Sequence, residues 1–437
     1  MWSYYPELLE TPVPRYTSFP TAAEFNDKVG PTDADAALRR ANGDVSLYLH
    51  IPFCEKICWY CGCNTGAANK SQRLSNYLDS LHREIAITGV RMDPRVAVKR
   101  IAFGGGSPNA ISPIDFLRLI DALTLHMPLD NPDWSIELDP RTLTADWGQV
   151  LGAIGVRYAS LGVQTFDPAL QAAIGRVQPD ADLARATALL RENGISSLNF
   201  DLMYGLPGQG LAQLEATLER TIELGADRIA LFGYAHVPHM LPRQRRIDAS
   251  NLPGQAERFQ MAEFGYNLLT SAGYVPVGFD HFAKPADPMA KAVRHGTLRR
   301  NFQGFTDDQA EVLVGLGASS ISCFPDLLVQ SEKNAGRYRM LLSQDLLPAA
   351  HGVRRSRDDQ RRGALIEALL CHGTASLDSD LASEAASRLS PFVERGLASL
   401  DHDTLTIAPQ GLPYARTIAA LFDPYRQDSL RRFSSAV

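Results

Sequence analysis

Four of the chain's six cysteines lie close together, at Cys54, Cys58, Cys61 and Cys63. Three residues separate the first two thiols, and two residues separate Cys58 from Cys61. Sulfur is a soft ligand that suits iron–sulfur clusters, and three cysteines on one short loop can hold one face of a four-iron cluster. The fourth iron then stays open, so a substrate or cofactor can chelate it through an amine and a carboxylate. The spacing therefore predicts a catalytic iron–sulfur site.

Two other uses of clustered cysteines fit the sequence less well. Disulfide bonds need an oxidising compartment, and the first residues do not have the pattern of a secretion signal. A structural zinc site usually combines two cysteine or histidine pairs, and the sequence has no second cysteine pair outside this loop. An iron–sulfur cluster is the favoured interpretation.

The cysteines come directly after an apolar run, LYLHI at 47–51. Such a run predicts a buried parallel strand, which places the cysteines on the loop at its C-terminal end. Short apolar runs then alternate with helical patterns up to about residue 278, which predicts parallel strands with right-handed crossovers. Six such units predict an incomplete barrel, because a closed barrel of this type has eight. The predicted strands are 45–51, 98–103, 134–138, 158–163, 197–202 and 228–232, and the helical patterns between them are 73–87, 112–126, 143–154, 181–193 and 211–224.

Polar residues follow several of these strands. The run FGGGSPN at 103–109 has three glycines, which let a backbone approach a ligand, although a glycine triplet alone is also typical of a tight turn. Polar side chains come at the ends of the next strands and in a following loop; they are Glu137, Gln164, Arg176 and Asp201. Each could be an ordinary cap or ion pair, but together they mark the rim where barrels hold their chemistry.

The cysteine spacing resembles the cluster loop of the radical S-adenosylmethionine (SAM) superfamily. The surrounding residues resemble more narrowly the oxygen-independent coproporphyrinogen III oxidase family. The resemblance extends over nearly the whole chain, from PRYTSFPTAAEF at 14–25 to RRNFQGFT at 299–306. The residues near the cysteines that carry it are Tyr48, His50, Gly62, Cys63 and Asn64.

This resemblance implies a (β/α)6 barrel in which Cys54, Cys58 and Cys61 hold a [4Fe-4S] cluster. SAM would chelate the open iron. One electron from the cluster would then cleave SAM into methionine and a 5′-deoxyadenosyl radical. The radical would take a hydrogen from a propionate of coproporphyrinogen III, and loss of an electron and of carbon dioxide would leave a vinyl group. Two rounds would give protoporphyrinogen IX in haem biosynthesis.

The resemblance also implies roles for residues of this chain. A second SAM is implied beside Ala235 and Ile321, which fits the reaction of two propionates. For Cys63, hydrogen donation, support of the substrate and a plain structural role all remain open, while Tyr48 is expected at the reacting centre. The implied contacts of the first SAM are Tyr48, Tyr60, Gly105, Gly106, Ser107, Glu137, Gln164, Arg176 and Asp201.

Three positions depart from the family pattern: Ser107 replaces a threonine, Tyr60 a phenylalanine and Gly233 a polar residue. Substrate contacts are expected less specifically, from either Arg15 or Tyr16 in the N-terminal arm and from basic residues further along. These basic residues are Lys284, which could face a propionate, and Arg299 or Arg300, for which a solvated charge pair is the alternative.

Composition sets the broad class. The 437 residues are 45% hydrophobic and 21% charged, which is ordinary for a globular protein. The formal charge is −6, from 43 basic and 49 acidic residues, which argues against nucleic acid as the main partner. No membrane span, a cytoplasmic location and a monomer are expected, with an electron donor and acceptor that the sequence does not identify.

Four segments are predicted: an extended N-terminal arm at 1–44, the partial barrel at 45–290, a cavity-lining connection at 291–345 and a mostly helical, winged-helix-like domain at 346–437. The alternative functions are a haem-binding chaperone of the same superfamily or a related radical SAM enzyme that acts on haem or transfers methyl groups. The arm and the second cysteine of Cys-Gly-Cys favour the oxidase over the chaperone.

Overall fold

A computed structural model describes residues 2–68 and 71–426. Its strands are, in chain order, β1 Asp44–Ile51, β2 Phe53–Cys54, β3 Gly66–Ala67, β4 Ala97–Gly105, β5 Leu129–Leu138, β6 Tyr158–Gln164, β7 Ser197–Tyr204, β8 Arg228–Gly233, β9 Val275–Val277, β10 His281–Ala283, β11 Arg299–Asn301, β12 Gly304–Thr306, β13 Val312–Leu316, β14 Ile321–Phe324, β15 Leu327–Ser331, β16 Ala349–Arg354, β17 Thr374–Ser376, β18 Ala398–Asp401 and β19 Thr404–Ile407. The α-helices are α1 Pro31–Arg40, α2 Ser71–Arg91, α3 Pro113–His126, α4 Ala145–Ile154, α5 Pro168–Ala173, α6 Asp180–Glu192, α7 Leu211–Glu223, α8 Gln255–Ser271, α9 Pro288–His295, α10 Ala335–Ser343, α11 Arg357–His372, α12 Ser379–Glu394 and α13 Ala415–Ala419.

The six predicted strands are β1 and β4–β8, and they lie side by side in chain order with every neighbouring pair parallel. Their apolar runs are buried because helices cover the outside of the sheet. Between β4 and the helices α3 and α4, for example, the rings of Phe103, Phe116 and Trp147 pack with centroids 4.7 and 5.0 Å apart. The incomplete (β/α)6 barrel is confirmed.

The sheet extends further than the sequence predicts. Strand β13 pairs in parallel with the free edge of β1, antiparallel strands continue both edges, and the order is β16-β15-β14-β13-β1-β4-β5-β6-β7-β8-β10-β9. The segment 291–345, predicted as a connection, therefore contributes strands to the central sheet, and β16 lies beyond the predicted boundary at 345. These strands are only four to six residues long, so they leave a weak pattern in the sequence.

The N-terminal arm is not wholly extended, because it contains the ten-residue helix α1, which packs on α2 and β16. Before this helix, the arm shares a buried apolar cluster with the C-terminal helices, to which Leu9, Val13 and Phe19 contribute. Tyr16 is buried there as well, and its hydroxyl donates to Asp423 Oδ2 at 2.9 Å. The arm is thus held between the barrel and the C-terminal region.

The C-terminal region consists of α11–α13 and a small antiparallel sheet in the order β17-β19-β18. Its hairpin and its two long helices agree with the predicted winged-helix-like arrangement. Near its end, residues 409–422 form only one α-helical turn, α13, between 3₁₀ turns. Among the described residues, no helix is long and apolar enough to cross a membrane.

A buried carboxylate ties helix α2 to the end of the central sheet. Glu84 Oε2 accepts hydrogen bonds from the hydroxyl of Tyr338 and, at 2.6 Å, from the amide of Gly317 in the turn after β13. Beside it, the Tyr77 hydroxyl donates to the carbonyl of His50 at 2.6 Å, at the end of β1. Burial raises the pKa of Glu84 from its ordinary value of 4.5 to about 7.

Glu84 should make the protein less stable as the pH rises from 4.5 to about 7. In this window the folded state keeps the carboxyl protonated while the unfolded state ionises it, so the unfolded state binds fewer protons. A pKa difference of this size corresponds to on the order of 3 kcal/mol in the free energy of unfolding. In Glu84→Gln, the amide oxygen can accept both hydrogen bonds but cannot titrate, so denaturant titrations across the window should show a flatter profile than the wild type. The exposed Glu219→Gln is the matched control, and identical profiles for Glu84→Gln and the wild type would contradict the expectation.

Candidate active site

The cysteine loop follows β1 and closes on itself. Strands β2 and β3 pair in parallel at its two ends, and the Ala68 amide donates to the carbonyl of Cys54 at 2.9 Å. Cys54 and Cys58 are buried, Cys61 is half-buried and Cys63 is exposed. The loop therefore has a fixed base with its last two thiols nearer the solvent.

The glycine turn after β4 holds this loop in place. The amides of Gly106 and Ser107 donate to the carbonyls of Ile51 and Phe53 at 2.9 and 2.7 Å. A Cβ atom at Gly106 would lie 2.4 Å from the Phe53 carbonyl oxygen, so only glycine permits this approach. A ligand amine at this turn would be held by carbonyl oxygens, because an amine donates hydrogen bonds and a backbone N–H cannot accept them.

Hydrogen-bond donors surround two of the sulfurs. Arg176 Nη1 lies 3.2 Å and Arg141 Nη2 3.7 Å from Cys58 Sγ, while the Ser107 hydroxyl donates to Cys54 Sγ at 3.5 Å. Positive charge and hydrogen bonds stabilise a thiolate over a thiol. The donor set therefore fits metal-bound sulfur.

The thiols differ in how readily they ionise. Burial raises the pKa of Cys54 to about 11, whereas a hydrogen bond from Cys63 lowers the pKa of Cys61 to about 6. The Cys63 amide also lies 3.4 Å from Cys61 Sγ. Among the described residues, no three His, Cys, Asp or Glu side chains converge on a single metal ion. A four-iron cluster does not require such convergence, because each cysteine binds a different iron.

Two cavities lie inside the barrel next to this loop. The larger, of about 360 Å³, is lined by Glu137, Asp201, Phe232 and His281 among others. The second, of about 250 Å³, is lined by Tyr48, His50, Ile321 and again Glu137. Glu137 therefore faces both cavities.

Glu137 is accessible through these cavities, although the barrel encloses it. Its Oε2 accepts a hydrogen bond from the Gly105 amide at 3.1 Å. Desolvation inside the barrel, and then the charge of Asp201, raise the pKa of Glu137 to about 7. Asp201 accepts from the Ser160 hydroxyl at 3.0 Å and from Asn199 Nδ2 at 2.8 Å, and burial raises its pKa too. Both carboxyl groups are thus partly desolvated before any ligand binds.

The end of β1 supplies an aromatic and an imidazole group to the smaller cavity. Tyr48 Oη and His50 Nδ1 share a hydrogen bond of 3.2 Å. Burial lowers the pKa of His50 to about 4, so its ring is neutral near pH 7. Within residues 2–68 and 71–426, the other ring nitrogen, Nε2, is buried without a hydrogen-bond partner.

The remaining predicted residues lie around the cysteine loop and do not line these two cavities. Arg176 is buried against Cys58, and Gln164 is buried at the end of β6 with φ +69°. Tyr60 and Ala235 are linked through Gln244, whose Nε2 donates to both carbonyl oxygens at 3.0 Å. These residues are placed to support the loop.

Several expected substrate contacts lie elsewhere. Lys284 donates to the Gly225 carbonyl at 2.9 Å and pairs with Asp227 at 3.3 Å, at the opposite end of β8 from the cavity rim. Arg299 pairs with Glu367 at 2.8 Å. The sequence does not reveal these partners, because charge pairs between distant segments leave no local pattern.

Sequence reasoning missed one polar centre of the site. Asp139, buried just after β5, pairs with Arg141 at 2.6 Å and with Arg176 at 3.5 Å. Its backbone amide donates to Asn109 Oδ1 at 2.9 Å beside the glycine turn. The signal in the sequence is the charged pair Asp139 and Arg141, which comes just after the strand-end carboxylate Glu137.

Comparison with known proteins identifies the family to which the chain is similar. The radical SAM superfamily model matches residues 48–221. Proteins named oxygen-independent coproporphyrinogen III oxidase from Bradyrhizobium diazoefficiens and Escherichia coli are 40% and 34% identical to this chain. The first alignment covers 98% of both chains, and the second covers 96% of this chain and 94% of the relative.

A solved structure agrees with the whole fold. The coproporphyrinogen III oxidase of Escherichia coli, described as a radical SAM enzyme, superposes with a TM-score of 0.91 at 32% identity. The superposition covers 97% of this chain and 99% of that one. The likeness therefore includes the arm, the barrel and the C-terminal region.

Replacing Cys58 should prevent cluster assembly, whereas replacing Cys63 should not. Cys58 is buried between two guanidinium groups, while Cys63 is exposed and contacts Cys61 through its amide. After anaerobic reconstitution with iron and sulfide, Cys58→Ala should lack the visible absorption and bound iron of the wild type. Cys63→Ala should retain four irons per chain. Cluster absorption that survives in Cys58→Ala would overturn the ligand assignment.

Proposed function

The chain belongs to the oxygen-independent coproporphyrinogen III oxidase family of the radical SAM superfamily, and we propose from this membership that it converts coproporphyrinogen III into protoporphyrinogen IX. The reaction is an oxidative decarboxylation in haem biosynthesis, in which two propionates become vinyl groups. The supporting observation in the chain itself is a loop of three closely spaced cysteines beside a barrel cavity that contains Glu137.

The residues present fit a [4Fe-4S] cluster, with Cys54, Cys58 and Cys61 as its ligands. When bound, the cluster supplies one electron to SAM, whose cleavage provides the 5′-deoxyadenosyl radical that takes hydrogen from the substrate. Arg176 and Arg141 stabilise the negative charge of the Cys58 sulfur through their hydrogen bonds. The Cys63 amide and thiol position the Cys61 sulfur, which gives Cys63 a supporting role.

The barrel residues hold SAM and exclude water from the reacting atoms. Glu137, Asp201 and the glycine turn at 105–107 bind the first SAM, and Gln164 and Tyr60 shape the wall behind it. Glu137 can bind polar groups of a ligand in either cavity because it lines both. Tyr48 and Ile321, which line the smaller cavity, bind the second SAM or the reacting edge of the substrate, with Ala235 beside the loop.

An anaerobic assay tests this function directly. The reconstituted protein, given SAM, a one-electron reductant and coproporphyrinogen III, should form protoporphyrinogen IX with release of 5′-deoxyadenosine and carbon dioxide. Chromatography of the oxidised porphyrins measures the vinyl products, and Cys58→Ala is the inactive control. A wild-type protein that holds its cluster and binds haem tightly but forms no vinyl product would refute the oxidase function in favour of the chaperone.

Loss of the Glu137 carboxylate should weaken SAM binding. A hydrogen bond to a charged group contributes about 1.5–3 kcal/mol, which corresponds to a roughly ten- to hundredfold higher dissociation constant. Glu137→Ala should show this loss in equilibrium binding of SAM, and Glu137→Gln should show a smaller one because the amide oxygen still accepts from Gly105. Unchanged SAM affinity in both variants would remove Glu137 from the binding site.

A further inference from the structure

A third pocket, also polar, lies at the rim of the barrel, beside the ends of β7 and β8. It encloses about 50 Å³ and is lined by Arg15, Arg258, Arg416, Tyr204 and Asp280 among others. Phe232 and His281 separate it from the larger barrel cavity, which they line on the other side. The pocket is therefore one layer of side chains away from Glu137 and Asp201.

The N-terminal arm brings Arg15 to this pocket. The Arg15 guanidinium lies 4.9 Å from the centroid of the Phe232 ring and 3.5 Å from the Gly233 carbonyl oxygen. Arg300 fixes the arm at this point by donating to the carbonyls of Arg15 and Tyr16 at 2.9 and 3.1 Å. Contacts with backbone carbonyls thus set the position of Arg15, and its guanidinium charge remains available to an anion.

Two glycines make room for Arg258, which lies in the first turn of α8. A Cβ atom at Gly233 would lie 3.1 Å from Arg258 Nη2, and one at Gly205 would lie 3.0 Å from its Nε. The absence of these side chains lets the guanidinium lie against the ends of β7 and β8. Its position is therefore shaped by the same Gly233 that departs from the family pattern.

Three arginines at or beside the pocket, Arg15, Arg258 and Arg300, have no ion-pair partner among the described residues. Within 2–68 and 71–426, no carboxylate oxygen lies within 4.0 Å of a nitrogen of Arg15, Arg258 or Arg300, and Arg258 Nε and Arg300 Nη1 are buried without a hydrogen-bond partner. Asp280 is the one carboxylate among the described lining residues, and its Oδ1 already binds His281 Nδ1 at 2.6 Å.

Burial shifts the pKa values of the charged groups around the pocket. Burial lowers the pKa of Arg258 and of Arg300 below the ordinary arginine value. Burial alone would raise the pKa of Asp280, but His281, Arg300 and Arg15 bring it below its usual range. Buried charges are costly unless an opposite charge accompanies them, so the pocket favours an anion.

We propose that Arg15 and Arg258, with Arg300 positioning the arm, bind a propionate carboxylate of the substrate in this pocket. The inference rests on the proposed function, because coproporphyrinogen III supplies several propionates on one macrocycle. Guanidinium groups bind carboxylates with paired hydrogen bonds, and the volume suits one carboxylate with few waters. One propionate is held here while another reaches the barrel cavity beside Glu137.

Two substitutions test this assignment, with activity measured under anaerobic conditions. Arg258→Gln and Arg15→Gln should each raise the KM for coproporphyrinogen III at least tenfold, while 5′-deoxyadenosine release at saturating substrate changes little. Arg258→Lys keeps the charge but loses the planar fork, so it should fall between Arg258→Gln and the wild type. Arg185→Gln removes an exposed arginine paired with Asp182 and should behave as the wild type.

A binding measurement tests carboxylate binding in this pocket independently of the catalytic activity. The probe is coproporphyrin III, with its tetraamide as an uncharged counterpart, followed by fluorescence quenching of the cluster-loaded protein. The wild type should prefer the acid, and both glutamine variants should lose that preference if the arginines bind a carboxylate. A preference retained in both variants with wild-type KM would overturn the pocket while the oxidase function stands. A wild type that forms no vinyl product would instead refute the oxidase function, and equal wild-type affinity for acid and amide would refute the pocket.

Discussion

One buried carboxylate connects the parts of the site. Asp139 lies between Arg141 and Arg176, and both guanidinium groups reach Cys58 Sγ. Burial alone would raise the pKa of Asp139, but Arg176 and Arg141 bring it below its usual value, so it remains an anion. Without Asp139, two guanidinium groups would be left in a buried site with only the sulfur as their anionic partner, which is a costly arrangement.

The same carboxylate residue joins two strand ends through its backbone. Asn109 accepts from the Asp139 amide and donates to its carbonyl, both at 2.9 Å, and so links the loop after β4 to the loop after β5. The loop after β4 in turn holds the cysteine loop through Gly106 and Ser107. The position of the three sulfurs thus depends on a chain of buried hydrogen bonds across neighbouring strands, and parallel pairing brings those strand ends to one edge.

The barrel mouth has two electrostatic sides. Glu137 and Asp201 have raised pKa values on one side, while Arg15 and Arg258 lie beyond Phe232 on the other. When Glu137 and Asp201 are ionised, their side of the mouth repels the propionates of the substrate. The side with Arg15 and Arg258 attracts them. This polarity orients the macrocycle, because a charged propionate has its lowest energy next to the arginines.

How far the sequence could predict this site depends on how local each signal is. Strands β1 and β4–β8 and the carboxylates at their ends follow from apolar runs with a polar residue directly after them. Arg176, by contrast, reaches Cys58 from 118 residues further along the chain. The sequence does not mark Arg258, because it lies in an ordinary helical pattern and reaches the pocket only through the space left by Gly205 and Gly233. Lys284 has the charge that a propionate contact requires, but it pairs with Asp227 at the other end of β8.

The C-terminal region gains a physical role from the arm that it holds. Tyr16 donates to Asp423 in a buried setting, and Arg15, the preceding residue, reaches the barrel rim at Gly233. Because consecutive residues bind the two parts, a shift of the C-terminal region would move Arg15 relative to Phe232. The winged-helix-like region therefore bears on the site by holding the arm that positions Arg15.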